Sequence, residues 1–268
     1  MITPGGIVAF ESIGAAAIAF VLLAHFLGFF VRGALGFGSN MPIVLLTTWV
    51  LGPHHAILLV ALTSGIAQIH LLPQGFRDTD WTVARMLAIG MMAGIVIGVW
   101  IFAGIKADWL VLLLGGLIIL IILMDRLRLI ERLRRVVDLR SPILASVLAA
   151  TSGTIGTISG GGGLYFLVVY LKLVCATPGA LRSTNVFLSG SFMIFRISLL
   201  AYAGLFTPNL FLEAFIITPA VLLGSWAGTR LFRALDPKRF YNLIQIVLLA
   251  AAAALFVRGL IFLVGWVD

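Results

Sequence analysis

Two glycine-rich stretches carry the strongest chemical signal in this chain: Gly33-Ala-Leu-Gly36-Phe-Gly38-Ser39-Asn40 and Gly156-Thr-Ile-Ser159-Gly160-Gly161-Gly162-Gly163. Each stands immediately before a short apolar run that reads as a helix. Glycine leaves backbone amides uncovered and admits positive φ, so a turn of this kind can aim several N–H groups at one point. The positive end of the following helix dipole adds to that field, and the combination favours an anion. The competing reading is that these glycines only let helices approach closely. For Gly90, Gly94 and Gly98, and for Gly224 and Gly228, the four-residue spacing makes close packing the preferred reading.

Polar side chains inside otherwise apolar runs are the second signal. They gather downstream of each glycine stretch: Thr63, Ser64, Gln68 and His70 in one place, then Ser183, Thr184, Asn185, Ser189, Ser191 and Arg196 in the other. Hydroxyl and amide groups can complete an anion's hydrogen bonds, although single Ser and Thr residues in helices often bond only their own backbone. Arg196 sits in Phe192-Met-Ile-Phe-Arg-Ile-Ser-Leu-Leu, where a guanidinium must find a partner, a water-filled cavity or an interface. Arg182 lies near a helix end and can snorkel. The residues expected to enclose a small anion are therefore Gly36, Gly38, Ser39, Asn40, Ser64 and Gln68 from the first half. From the second half they are Ser159, Gly160, Gly161, Gly162, Gly163, Thr184, Asn185, Ser189 and Arg196.

Other chemistries find little to work with. Glu11 and Glu213 fall near the ends of apolar segments and no Asp or Glu lies near the centre of one, so a carboxylate proton relay is not evident. His70 could carry a proton, yet a lone histidine is more often a hydrogen-bonded packing residue. His54 and His55 follow Pro53 without metal-ligand companions at suitable spacing. HExxH, GxSxG, Walker and CxxC signatures are missing. No cofactor is implied and an enzyme is not expected. The single cysteine, Cys175, cannot form an intrachain disulfide.

The elements that must position these residues are helices in lipid. Of 268 residues, 62% are hydrophobic and 10% charged, too little polar surface for a water-facing shell. The mean hydropathy is +1.17, and successive apolar runs of about 17 to 25 residues match a hydrocarbon core of about 30 Å. Helices satisfy their own backbone there. Breaks at charge, Pro or Gly divide the chain into ten segments: 7–31, 36–51, 55–72, 82–105, 109–124, 141–156, 163–175, 178–203, 210–233 and 240–257. The stretch from Met1 to Phe10 lacks Lys and Arg, so it does not read as a cleaved signal, and the first segment is expected to remain in the protein.

The longest polar interruption, Asp125 to Arg140, holds six arginines and reads as a cytoplasmic linker between halves at 1–124 and 141–268. With that linker inside and ten alternating segments, fifteen of the eighteen bases fall inside and only Lys106 and Arg258 outside, Arg196 lying within a span. The positive-inside rule supports this orientation, which puts both termini outside. The same distribution explains the net charge of +8 without nucleic acid. The expected partners are a small anionic substrate and membrane lipid; a homodimer is compatible with the sequence.

The two halves look alike. The glycine stretches align at an offset of 123, Gly94-xxx-Gly98 meets Gly224-xxx-Gly228 at 130, and a gap between them lets Ser64-Gly65 meet Ser189-Gly190. Five segments per half is an odd number, so the second half enters the membrane from the opposite face and the repeat is inverted. If the short segments are re-entrant half-helices, the parity stays odd. Inverted repeats with short, Gly-interrupted segments at matching positions point to a transporter site near the bilayer midplane.

On the glycine stretches, GALGFGSN and GTISGGGGLYFLV, the chain resembles the sulfite exporter TauE/SafE family, whose members carry a GxxGxGGG-like stretch before a short apolar helix in each of two repeats. The likeness continues through Ala180-Leu-Arg-Ser-Thr184-Asn185 and Gly224-xxx-Gly228, and spans about residues 25–255. Ser39, Asn40 and Ser159 depart from the family pattern. The resemblance implies export of small sulfur-containing anions such as sulfite, sulfoacetate and other organosulfonates across a cell inner membrane. By the same resemblance, the site is expected at the two glycine turns and at Thr184 and Asn185. An anion channel on the same repeat, an importer of a related anion, and an accessory or enzyme subunit are the alternatives. No carboxylate for a coupling ion stands out.

Overall fold

The computed structural model describes residues 9–11, 13–35, 40–69, 75–76, 78–127, 141–161, 163–231 and 237–264. Among them are ten α-helices and no strand. In chain order these are α1 Ala15–Leu35, α2 Asn40–Leu51, α3 Pro53–Ile69, α4 Trp81–Gly104, α5 Ala107–Arg126, α6 Pro142–Ile158, α7 Leu164–Val174, α8 Pro178–Tyr202, α9 Pro208–Leu231 and α10 Pro237–Val264. Most of the basic linker, 128–140, lies outside the described residues, as do Gly36, Gly38, Ser39, His70 and Gly162.

The helix boundaries follow from local chemistry. Asp80 caps α4 by accepting from the Val83 amide at 3.2 Å, and Thr177 caps α8 by accepting from Ala180 at 3.1 Å. Pro142 and Pro178 open α6 and α8, where a missing N–H costs nothing. Gly52, at φ +78, turns the chain between α2 and α3. Two helices run past the charges that seemed to end them in the sequence. α1 continues through Arg32 because the guanidinium bonds the Gln68 side chain. α10 continues through Arg258, which stacks over the Trp49 ring at 4.9 Å from its centroid. α1 also begins at Ala15, after a turn at residues 9–11, and not at the expected residue 7.

α1, α4, α5, α8 and α9 are long and apolar enough to cross a membrane. Their outward faces agree: Trp100 is 78% exposed, Phe215 75% and Ile89 72%, an apolar belt that suits lipid and not water. α2 has 12 residues and α7 has 11, about 18 and 17 Å at 1.5 Å per residue, so neither spans about 30 Å of hydrocarbon alone.

Small residues set how the long helices pair. Gly90, Gly94 and Gly98 of α4 lie against Ser146, Ala150 and Thr154 of α6, so close that a Cβ on Gly90 or Gly94 would meet a backbone carbonyl. Thr154 Oγ1 donates to the Gly94 carbonyl at 2.9 Å. The partner numbers rise together, so α4 and α6 run parallel. α1 and α9 are also parallel: Phe26 meets Gly224, and Gly33 meets Ser225 and Thr229. The spacing read as packing glycines therefore does pack helices at Gly90, Gly94, Gly98 and Gly224. α5 and α10 are antiparallel, since Gly115 faces Ala252 and Phe256 while Gly259 faces Leu112. α3 and α8 also run in opposite directions, with Gly65 against Ile197 and Gln68 bonded at Val186.

Candidate functional site

The end of α6 explains the second glycine stretch. Gly160 takes φ +76 and Gly161 φ +119, and the Gly161 amide donates back to the Gly156 carbonyl at 2.5 Å. This is the six-to-one bond of a helix that ends on a left-handed glycine. A side chain at Gly161 would strike the Asn40 amide nitrogen, and one at Gly160 would strike Val44. The turn therefore does two things: it stops α6 and it admits the first residue of α2 against its backbone.

Asn40 is the joint between the two glycine stretches. It closes the first stretch and stands first in α2, 8% exposed. Its Nδ2 donates to the Gly160 carbonyl at 2.7 Å, and its Oδ1 accepts from Ser64 Oγ at 2.8 Å. Ser64 is fully buried on α3. The starts of α2 and of the α6–α7 turn thus meet in the interior, which brings Asn40, Ser64, Gly160 and Gly161 together.

Arg196 lies beside this joint. It is fully buried, and its Nη2 donates to the Thr157 carbonyl at 3.1 Å, three residues before Gly160. That carbonyl is in the last turn of α6, where no helical N–H follows to take it. Phe192, one turn earlier on α8, presents its ring to Gly156 and to the guanidinium, 5.8 Å from its centroid. Arg196 Nε and Nη1 are buried without a hydrogen-bond partner among the described residues. A guanidinium has five N–H donors in a fixed fork that matches an oxyanion. What this corner offers is a fixed positive charge, two donor nitrogens to spare and a neutral polar wall.

The other expected residues divide. Ser159, also fully buried, donates its hydroxyl to the Ile155 carbonyl at 2.6 Å. Gly163 is packed against Ser152 and Gly156. Gln68 lies one turn beyond Ser64, where it accepts from Arg32 and donates to the Val186 carbonyl at 3.2 Å. Thr184 is fully buried and accepts from the Asp80 amide at 3.0 Å, holding the start of α4. Asn185 and Ser189 are half-buried on α8, and no bond ties them to the joint among the described residues. Thr63 bonds only carbonyls of its own helix.

Sequence reasoning missed three things. Arg32 was counted only as an inner-side charge, yet it ties α1 to α3 through Gln68. His25, at the middle of α1, is fully buried with Nδ1 on the Val21 carbonyl at 2.8 Å. Glu213 is 1% exposed and accepts from the Phe10 amide at 2.9 Å, while His55 Nε2 contacts its other oxygen at 2.5 Å. His25 showed itself as a lone polar residue in an apolar run. His55 and Glu213 are 158 residues apart and gave no signal.

Ten helices, an apolar outer belt and a buried polar joint define a multi-pass helical membrane protein. The family model described as Sulfite exporter TauE/SafE matches residues 20–255, and the chain belongs to that family of membrane transporters. Searches of curated proteins and of solved structures found no match.

Proposed function

We propose that this protein is a secondary carrier that exports a small sulfur-containing anion, such as sulfite, sulfoacetate or another organosulfonate, across the cell inner membrane by alternating access. The observation that carries the reading is Arg196: a fully buried guanidinium with one N–H on a helix-end carbonyl and Nε and Nη1 unpartnered among the described residues. A sulfonate or sulfite oxygen pair suits that fork, and the backbone and amide dipoles at Asn40 and Gly160 complete its surroundings.

Residues 1–124 and 141–268 then act as two inverted repeats joined by the linker at 125–140. The helix directions support this. Helix five of each half, α5 and α10, pair antiparallel, as do the third helices α3 and α8. Symmetry-equivalent helices that meet head to tail are what an axis in the membrane plane produces. The exchange of α1 with α9 and of α6 with α4, both parallel, follows the same operation. α2 and α7 then serve as half-helices whose N-terminal ends meet inside the bundle.

The charge asymmetry of the sequence supports an orientation with the linker inside and the start of α3 outside. An inner-negative potential drives a monoanion outward by about 2.3 kcal/mol per 100 mV, so export can run without a coupling ion. The test is flux of labelled sulfoacetate, sulfite and methanesulfonate from proteoliposomes, with sulfate and carboxylates as competitors. Saturable, competed flux supports the carrier. Unitary currents in planar bilayers would instead identify a channel, and no movement of any sulfur anion overturns the reading.

A further inference from the structure

We propose that His55 and Glu213 form a proton-binding site that latches the outer end of the carrier, so that external acid slows outward opening. The inference rests on the carrier reading and its orientation. His55 stands in the first turn of α3 and Glu213 in the second turn of α9, so their 2.5 Å contact ties two helices from different halves. The Phe10 amide, on the other carboxylate oxygen at 2.9 Å, brings the segment before α1 into the same knot. Phe10 itself is buried and adopts φ +54, an uncommon conformation that the knot holds in place.

Accessibility divides the pair in a way that suits a proton site. The Glu213 side chain is 2% exposed and the His55 side chain 33% exposed, so in the proposed orientation outside water reaches the imidazole and not the carboxylate. Neutral His55 with its proton on Nε2 donates one ordinary hydrogen bond to Glu213. A proton taken from outside water onto Nδ1 turns the same contact into an ion pair, and charge-assisted bonds of this kind are roughly twice as strong. The proton adds to the imidazole and nothing leaves, so the site carries one more positive charge.

Among the described residues, no other charged side chain bonds either member of the pair. His54 turns to the Phe102 ring at 5.0 Å, Glu11 is exposed on the N-terminal turn, and Arg230 stacks on Trp226 at the far end of α9. Of the remaining helices packed on α3, α2 has no ionisable side chain. α8 carries Arg182, exposed, and Arg196, bonded at Thr157, while α5 carries Asp108 in its first turn and Asp125 and Arg126 at its last.

The opposite end has a neutral counterpart. α8 and α4 are the symmetry mates of α3 and α9, and there Thr184 accepts from the Asp80 amide at 3.0 Å. A hydroxyl-to-amide bond does not titrate. Of these two related contacts only the outer latch takes up a proton, and the site gives the carrier a bias that follows the medium it exports into.

The experiment is methanesulfonate exchange across proteoliposomes at equal pH on both sides, because this probe keeps its charge throughout. Exchange by the unmodified protein is expected to be about fivefold slower at pH 5.5 than at pH 7.5. His55→Gln keeps a donor without a titrating ring, and Glu213→Gln removes the charge; both are expected to flatten the dependence. Hydrogen exchange at the Phe10 amide reads the latch without flux: after correction for intrinsic rates it should be slower at pH 5.5, and the difference should vanish in Glu213→Gln. A flat profile in the unmodified protein, or an unchanged slope in His55→Gln, overturns the proposal. If no methanesulfonate moves, the Phe10 amide decides the latch by itself, and the carrier reading falls only if sulfite and sulfoacetate also fail to move.

Discussion

Replacing Arg196 with methionine tests the site most directly, because methionine keeps much of the side-chain length and removes the charge and the fork. Two separate losses follow. The first is structural: the Thr157 carbonyl loses the Nη2 bond it now has at 3.1 Å. One such bond is worth about 1 kcal/mol net, and removing a buried charge that has few partners offsets part of that. Folding stability should therefore change by no more than about 1 to 2 kcal/mol, a few degrees in melting temperature. The second loss is functional. Nε and Nη1, the two nitrogens without partners among the described residues, would each give a bound anion a charge-assisted hydrogen bond of about 1.5 to 3 kcal/mol. These do not add fully, and about 3 kcal/mol for the pair predicts affinity weaker by roughly two orders of magnitude. Arg196→Lys, which keeps charge and loses the fork, should fall between, at about tenfold. The assay is anion-induced thermal stabilisation in detergent, titrated with sulfoacetate and methanesulfonate against both variants. If Arg196→Met stays folded and its apparent Kd moves by less than about threefold, Arg196 is a helix-end cap and the anion site lies elsewhere.

Two further outcomes are expected. Gly94→Val puts a branched side chain where even a Cβ meets the Ala150 carbonyl; overpacking should cost more than about 1 to 3 kcal/mol, and an unchanged melting temperature would show that α4 and α6 do not pack this way. Burial, reinforced by the charge of Asp80 and opposed by a hydrogen bond from Thr184, holds the Cys175 thiol above its ordinary range. The thiol is therefore protonated at neutral pH, so maleimide labelling should be slow at pH 7 and still be climbing with pH where an ordinary exposed cysteine has reached its plateau. A rate that levels off below pH 8.5 would contradict that environment.

Much of the fold was legible in the residues themselves. Apolar runs of bilayer length, cut by Pro, Gly and charge, located all ten helices to within a few residues at most boundaries, because each such helix satisfies its backbone locally. The exceptions are instructive. Arg32 and Arg258 were read as ends, and both helices pass through them, since a guanidinium that finds Gln68 or the Trp49 ring no longer needs water. The four-residue glycine spacing announced close packing, yet not its partners. That Gly94 meets Ala150 of the other half is a fact of the assembled bundle.

The site divides along the same line. Glycine at 160 and 161 is a local demand, because only a residue free to take positive φ can end α6 in that way. The sequence alone therefore determined that α6 ends in a backbone-rich turn at Gly160 and Gly161 and that the helices around it are apolar enough for lipid. Tertiary structure decided what the turn faces: Asn40 from 120 residues away, Ser64 closing it, and Arg196 brought to Thr157 by the packing of α8 on α3, α4 and α7. It alone also joined His55 to Glu213. The physical reason is range. Helix propensity, caps and hydropathy act within a few residues, whereas a hydrogen bond between distant side chains exists only once the helices carrying them have packed.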